Sequence, residues 1–324
     1  MNILYFFGNG LDKAQGMKTS YPEFYDFLNQ NSDHCSPLLK KMKQSIQDDK
    51  ELWSDMELAF GNFTSSIKNA DDFESLYYEL NDYLQLYLKN EDELFVPSND
   101  LKNKFINDFL YYDSYLGDLD KVRFKQFISS FSEPWNIYII TLNYTNTLEK
   151  LLEPLGLEGQ RDFGGNRRLH QLIHVHGLLD DSIIIGVDNE SQITKDSFRV
   201  DDDIKDIIVK NQSNITMKYT RSFVCEDLIK KANLIIFFGV SLGETDNRWW
   251  KLIGEQFKNR NDLSIILYLY MQKPISTTRK QLTGQIERKK TNEIMKKMGV
   301  AKNDWPADTK DRLYFVVNSD AFKL

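Results

Sequence analysis

The sequence predicts an α/β fold in which a mostly parallel sheet is flanked by helices and a large helical insertion follows the first strand. Six apolar runs are nearly continuous rather than alternating, as is typical of strands that helices bury on both faces. A long stretch after the first run has helical spacing instead. The runs cover residues 3–7, 137–142, 183–187, 234–240, 263–270 and 313–317.

These patterns divide the chain into a Rossmann-like core of residues 1–20 and 133–324 and an insertion of residues 21–132. In the insertion, apolar residues three and four apart form two stripes, as helices buried on one side require. Asp71 and Glu74 have the spacing of a capping box at the start of the first predicted helix. The stripes are Phe73, Leu76, Tyr77, Leu80, Leu84, Tyr87 and Leu88, and then Leu101, Phe105, Phe109, Tyr112 and Leu116. Residues 279–302 are predicted to form a basic amphipathic surface helix.

Composition narrows the class of protein. The 324 residues are 41% hydrophobic, enough for a large core, and a net charge of −7 argues against a broad basic surface for nucleic acid. The insertion carries 21 acidic and 11 basic residues, which indicates either a solvated helical face or a lid or partner surface. Cys35 and Cys225 are too few for a disulfide framework, and no run reaches the length of a membrane span. We therefore expect a cytoplasmic protein.

Two glycine-containing segments follow apolar runs. Gly8-Asn9-Gly10-Leu11-Asp12 ends the first run, and Gly239-Val240-Ser241-Leu242-Gly243-Glu244-Thr245-Asp246 ends the run 234–240. Such glycines allow a tight turn and a close approach of the backbone to a phosphate, while the hydroxyl and carboxylates suit ribose. The third glycine of a dinucleotide fingerprint is replaced by Lys13, which disfavours an ordinary dehydrogenase. Simple turns and helix caps explain both segments as well.

Two further segments carry candidate catalytic residues. Asn143, in Thr141-Leu142-Asn143-Tyr144-Thr145, has an amide that suits a ribose hydroxyl or an attacking water, or it helps to cap a helix over 146–152. Three of the four histidines, His170, His174 and His176, lie just before Gly177. We expect His176 to act as a base, exposed by Gly177, although a core histidine explains it too. A metal pair lacks a third ligand of known spacing, so no metal is expected.

Ligands of an open parallel sheet bind outside the carboxyl ends of its strands, so these four segments are expected to converge on one nucleotide site. Gly8, Asn9, Gly10, Asp12, Thr141, Gly239, Ser241 and Asp246 are the predicted binding residues, and Asn143 and His176 the predicted catalytic ones.

The chain resembles the AbiH family of bacteriophage abortive-infection proteins over nearly its whole length. The residues that carry the resemblance are the Gly8–Asp12 segment, Thr19-Ser20-Tyr21, Trp53-Ser54-Asp55-Met56-Glu57, Asn143-Tyr144 and residues 239–246. That family is similar in turn to sirtuin-like enzymes, whose NAD site uses Gly-x-Gly, Thr-x-Asn, His-Gly and Gly-x-Ser in this order. Thr145 replaces a frequent aspartate, Gln15 a frequent histidine, and the sirtuin zinc cysteines are missing.

The resemblance implies a phage-defence protein that hydrolyses NAD to nicotinamide and ADP-ribose, with NAD or a related nucleotide as its ligand. It also implies a latent state relieved by a phage-derived trigger or by homo-oligomerisation. Two alternatives stay open. One is a metal-dependent nuclease or phosphodiesterase, in which Asp55 and Glu57 would need a further carboxylate such as Asp82 or Asp12. The other is a nucleotide sensor that binds without turnover.

Overall fold

The structure is a computed structural model that describes residues 1–132, 134–155, 161–162, 167–179, 181–271 and 281–324. The strands are β1 Asn2–Phe7, β2 Trp135–Thr141, β3 Arg161–Asp162, β4 Arg167–His174, β5 Leu234–Phe238, β6 Ser264–Leu269 and β7 Leu313–Val317. The α-helices are α1 Gly10–Ala14, α2 Tyr21–Asn31, α3 Pro37–Asp48, α4 Met56–Phe63, α5 Ala70–Leu94, α6 Asn99–Leu110, α7 Asp118–Ile128, α8 Thr147–Leu152, α9 Asp196–Arg199, α10 Asp202–Ile208, α11 Lys210–Thr216, α12 Arg221–Lys231, α13 Asn247–Asn259, α14 Gln281–Lys297 and α15 Thr309–Arg312.

The strands form one sheet in the order β3-β4-β2-β1-β5-β6-β7. Among the strands of the described residues, six are parallel and only the short β3 runs antiparallel, at the edge beside β4. Counted along the chain, the parallel strands have the order 3-2-1-4-5-6 of the doubly wound Rossmann fold. The predicted α/β class is confirmed. The direction of strand addition reverses between β1 and β5, and this switch point is where such sheets leave a crevice.

The two faces of the sheet pack against different helices. Ile3, Tyr5 and Phe7 of β1 point to one face, where aromatic residues of α6 and α7 cover them. Leu4 and Phe6 point to the opposite face and meet α12, α13 and α14. Successive strand residues alternate between faces, so burial on both sides requires the continuous apolar runs seen in the sequence. The runs at β1, β2, β5, β6 and β7 are confirmed as strands.

The insertion packs in two parts. Helices α2 to α5 form a separate apolar core with Leu179 and residues 183–209, around the buried side chains of Trp53, Phe60 and Phe73. Helices α6 and α7 lie directly on the sheet through Phe105, Phe109 and other residues. Helices α6 and α7 thus cover one face of the sheet within the connection from β1 to β2. Helices α2 to α5 form an additional layer beside the carboxyl ends of the strands.

The helical predictions hold, but their ends differ. The first stripe is buried along α5, whose N-cap is Asn69, with a side chain that accepts from Asp72 N at 2.9 Å. The predicted cap by Asp71 and Glu74 is wrong, since asparagine in an extended conformation presents its oxygen to the first turn. The second stripe runs from α6 into a 3-10 turn, Tyr112–Tyr115. The basic helix is confirmed as α14, and residues 279 and 280 lie outside the described part of the chain.

Residues 183–187 are not a strand of the sheet, and this prediction is wrong. The segment is extended and makes one isolated bridge, between Val187 and Val209. The side chains of Ile183, Ile185 and Val187 are buried in the core of the insertion. Side chains satisfy its backbone carbonyls instead of a strand: Tyr77 Oη donates to Ile185 O at 3.1 Å and Asn81 Nδ2 to Ile183 O at 3.4 Å. The sheet position is taken by the more polar β4, which apolar continuity did not reveal.

Tyr77→Phe removes one of these donors and leaves a buried carbonyl without its partner. We expect the free energy of unfolding to fall by about 1–3 kcal/mol, as for other orphaned buried acceptors. Tyr78→Phe is the matched control, because Tyr78 is 54% exposed, and should change stability by less than about 0.5 kcal/mol. Urea denaturation of both variants measures the difference, and equal effects would contradict this account of the segment.

Candidate functional site

The loops that follow β1, β2, β4, β5, β6 and β7 line a cleft of about 1450 Å³ at the carboxyl edge of the sheet. Helices α2, α4 and α5 of the insertion contribute to its wall. The structure brings together nearly all the predicted site residues here: Gly8, Asn9, Gly10, Asp12, Asn143, His176, Gly239, Ser241 and Asp246. Thr141 lies beneath, fully buried at the end of β2.

The glycines let two loops pack backbone against backbone at the switch point. Gly10 N donates to Gly239 O at 2.9 Å, and a Cβ at Gly10 would lie 2.4 Å from Gly239 Cα. Gly8 is equally close, since its Cβ would lie 2.7 Å from Gly239 O. Gly239 has φ of +68°, which side chains rarely adopt. Loop packing therefore requires these glycines, and phosphate binding by them stays a prediction.

Asn143 is held at several points. Its backbone N–H donates to Thr141 Oγ1 at 3.1 Å, and its Nδ2 donates to Asp12 Oδ1 at 3.0 Å. Its carbonyl oxygen lies 2.8 Å from His174 Nδ1. Only its buried Oδ1 lacks a hydrogen-bond partner. The side chain is thus tied to Asp12 rather than capping α8, and Thr141 is one of the residues that place it.

Asp12 is a buried carboxylate, 1% exposed. Asn143 donates to its Oδ1, and Thr145 Oγ1 donates to its Oδ2 at 2.7 Å. Burial raises the pKa of Asp12 to about 6, although the hydrogen bonds from Thr145, Thr147 and Asn143 oppose the rise. Thr145 thus supplies a proton donor where an aspartate would have placed a second carboxylate beside the first. Contact of Asp12 with a ribose hydroxyl stays a prediction.

His176 is buried, so the expectation that Gly177 exposes it is wrong. Gly177 is needed because its φ is +92° and a Cβ there would lie 2.0 Å from Ser182 O. His176 Nε2 lies 2.7 Å from Asp246 Oδ1, and Nδ1 is buried without a partner. Burial alone would raise the pKa of Asp246, but Lys210 and His176 hold it well below its usual range. The ionised carboxylate accepts only, so Nε2 carries the hydrogen of this contact.

A buried lysine and glutamate extend this pair. Lys210 Nζ lies 3.2 Å from Asp246 Oδ1 and 2.8 Å from Glu57 Oε2. Burial would lower the pKa of Lys210, but Asp246 and Glu57 raise it above its usual range, so the ammonium is retained. Asp246 stands at the N-cap position of α13, yet its side chain makes no cap hydrogen bond. Its carboxylate is directed to His176 and Lys210 instead.

The other histidines are separate from His176. His174 Nε2 lies 2.7 Å from Glu149 Oε1, so this ring joins α8 to the carbonyl of Asn143. His170 stacks on Tyr138 and lies 2.9 Å from Asn136 Oδ1, within the sheet. In the described part of the chain, no three His, Cys, Asp or Glu side chains lie close enough together to hold a metal ion.

The remaining predicted residues lie on the rim of the cleft. Asn9 is exposed and bonded to Thr19 through both its side-chain oxygen and its nitrogen. Ser241 is exposed, and its hydroxyl accepts from Gly243 N at 3.3 Å. Asp55, on the insertion side, is the N-cap of α4 and accepts from Leu58 N at 3.1 Å.

Comparison with known families identifies the chain. The model of the family described as "Bacteriophage abortive infection AbiH" matches residues 4–268. The chain belongs to the AbiH family. This membership connects it with abortive infection, the defence against bacteriophage. A search of curated proteins found no match. Among the described helices of this AbiH protein, none is long and apolar enough to cross a membrane.

The sequence does not predict two residues that hold the candidate site, Lys210 and Glu149, and it predicts a third, Glu57, in a different role. Lys210 follows the apolar residues of α10 without any motif, and nothing in its local pattern marks it. Glu149 sits in a short helix where an acidic residue is ordinary. Glu57 was named only as a metal ligand, although it lies in the Trp53–Glu57 segment of the family resemblance. The partners of all three come from distant segments, so only the fold connects them.

The buried Asp12 predicts a defined pH dependence of stability. Its pKa is about 6 when folded and about 3.9 when unfolded, so the folded chain binds more protons between these values. The free energy of unfolding therefore falls as the pH rises through this window, by about 3 kcal/mol in total. Asp12→Asn, which does not titrate, should not show this loss.

Urea denaturation between about pH 4 and pH 7 tests this linkage. Wild type should lose stability relative to Asp12→Asn as the pH rises. Asp33→Asn is the matched control, because Asp33 is exposed, and its curve should run parallel to wild type. Parallel curves for wild type and Asp12→Asn would mean that Asp12 titrates as an ordinary carboxyl.

Proposed function

We propose that this AbiH protein is an abortive-infection effector that hydrolyses NAD to nicotinamide and ADP-ribose in the cleft. One observation supports the proposal most strongly. Asn143 and His176 line the same cleft, and each has one polar atom fixed by a carboxylate and one without a protein partner. Fixed side chains with one free acceptor each are what a hydrolytic site needs to hold and deprotonate water.

The reaction breaks the bond between the nicotinamide nitrogen and C1′ of the ribose. The bonding electrons leave with nicotinamide, and the ribose develops oxocarbenium character that nearby negative charge stabilises. Water adds to C1′ and loses a proton. In this proposal Asn143 Oδ1 accepts a hydrogen bond from that water, and His176 Nδ1 takes the proton while Asp246 stabilises the resulting imidazolium.

Two features of the cleft fit a dinucleotide substrate. It spans the switch point between β1 and β5, where doubly wound sheets bind such ligands. Its volume of about 1450 Å³ exceeds that of ordinary small-molecule pockets. The order of the four loops is also that of sirtuin-like enzymes, and this likeness is part of the proposal. Homo-oligomerisation and a phage-derived trigger remain expectations that accompany it.

Protein purified from phage-challenged cells and incubated with NAD tests the chemistry, because the enzyme is expected to be latent before infection. Wild type should release nicotinamide and ADP-ribose, and His176→Gln and Asn143→Ala should lower kcat by roughly 10²- to 10⁴-fold by removing the base or the water-holding group. His170→Gln is the matched control, because His170 lies within the sheet and outside the cleft. It should keep activity within about twofold.

The same variants, expressed in bacteria before and during phage challenge, test whether the enzyme is latent until infection. Mass spectrometry of the nucleotide pool should show NAD loss only in infected cells that carry the wild type or His170→Gln. Protection from phage with an intact NAD pool would overturn the proposal. NAD that raises the Tm but stays intact in infected cells would instead indicate the sensor. Activity on nucleic acid abolished by EDTA would indicate the nuclease.

A further inference from the structure

Four titratable side chains from distant segments form one chain of contacts beneath the cleft. Glu57 comes from α4 of the insertion, Lys210 begins α11, Asp246 precedes α13, and His176 follows β4. The successive distances are 2.8 Å from Glu57 to Lys210, 3.2 Å from Lys210 to Asp246 and 2.7 Å from Asp246 to His176. The side chains of Glu57, Lys210 and His176 are 7%, 6% and 4% exposed, and that of Asp246 is 21% exposed. Water therefore replaces few of these contacts.

Lys210 and His176 share one oxygen of Asp246. Both Lys210 Nζ and His176 Nε2 approach Oδ1, so the ammonium restrains the carboxylate atom that the imidazole needs. Charge-assisted hydrogen bonds of this kind are stronger than neutral ones, and burial strengthens them further. The position of Asp246 thus depends on Lys210.

Glu57 holds Lys210 in turn, and is itself held by the backbone. Its Oε2 pairs with the lysine, and its Oε1 accepts from Gly186 N at 3.2 Å. The Lys210 backbone is tied to the same segment, since Lys210 N donates to Val187 O at 3.0 Å. The ammonium is therefore positioned from two sides.

We propose that Lys210 and Glu57 are positioning residues for His176: Lys210 holds Asp246, which keeps the imidazole in the Nε2–H form with Nδ1 free, and Glu57 holds Lys210. The inference deepens the proposed function and rests on it for the role of Nδ1. The form of the ring, however, is measurable without any turnover. The proposal also makes the insertion part of the site, because Glu57 belongs to it.

The competing explanation is that Lys210 and Glu57 form an ion pair that only stabilises the fold. Single substitutions do not distinguish this structural role from a positioning role. Lys210→Met leaves Glu57 buried without a counter-charge, which is strongly destabilising on its own. The double variant Glu57→Gln/Lys210→Met removes both charges at nearly constant volume, so Glu57 is not left as an unpaired buried charge while Asp246 loses its restraint. Far-UV circular dichroism and the urea midpoint of the double variant are compared with those of wild type before its spectra are interpreted. The matched control is Asp202→Asn/Lys205→Met, an ion pair of the adjacent α10 whose aspartate is 83% exposed.

The readout is the tautomer of His176 in protein labelled with ¹⁵N-histidine. The chain has four histidines, so the signals of His176 are identified by their absence in His176→Gln. Two-bond ¹H–¹⁵N spectra of wild type and of the control double variant should show His176 with Nε2 protonated and Nδ1 unprotonated. In Glu57→Gln/Lys210→Met, these signals should move to averaged or doubly protonated values.

Kinetics supply the second readout. The double variant should lower kcat for NAD by roughly 10- to 100-fold, the scale of a small misplacement, with KM within about threefold. A folded double variant with the wild-type His176 spectrum would overturn the proposal and leave Lys210 a structural residue. Wild type from phage-challenged cells that does not hydrolyse NAD would refute the proposed function, and the spectra would still decide whether Lys210 and Glu57 position His176.

Discussion

Three carboxylates lie buried or nearly buried beneath the cleft, and the arrangement of the site follows from the need to compensate them. Removing a carboxylate from water is costly unless donors or cations surround it. Asp12 meets this need with neutral donors, the Asn143 amide and the Thr145 hydroxyl. Asp246 and Glu57 share the ammonium of Lys210. The two candidate catalytic side chains are therefore held by groups that the fold must satisfy in any case.

Neutral donors and a cation affect the pKa of a buried carboxyl group differently. Neutral donors only partly offset burial, so the pKa of Asp12 rises to about 6. At Asp246, Lys210 and His176 together more than offset burial, so its pKa falls well below its usual range. At Glu57, burial outweighs the effect of Lys210, so its pKa is raised. The carboxyl groups of one cleft thereby have widely different pKa values. Such differences are common at catalytic sites and also occur in structural ion-pair networks.

The insertion holds the loops of the site as well as forming its own core. Asp92, in the last turn of α5, accepts from Asn146 N at 2.8 Å and pairs with Lys150, and so fixes the chain just after Asn143. Tyr77 and Asn81 hold the segment 183–185. Glu57 connects α4 to Lys210. A displacement of the insertion would therefore act on the surroundings of both Asn143 and His176.

The sequence by itself determined the fold class. Continuous apolar runs and helical stripes indicate which faces of an element are buried, even when the elements that pack against them are unknown. The runs at β1, β2, β5, β6 and β7 and the stripe of α5 needed no tertiary knowledge. The polar ends of the strands also indicated one edge of the sheet, since parallel strands end together. Hence Asn143 and His176 could be named together from the sequence.

Only the tertiary structure decided which polar groups meet. Residues 183–187 have a strand-like composition, but insertion side chains bond to the carbonyls of Ile183 and Ile185 and pack around the segment, so it joins their core rather than the sheet. Lys210, Glu57 and Asp246 come from widely separated positions, and a buried charge leaves no local pattern because its partner lies elsewhere in the chain. Burial of His176 likewise depends on what packs over it, and no neighbouring residue in the sequence determines that.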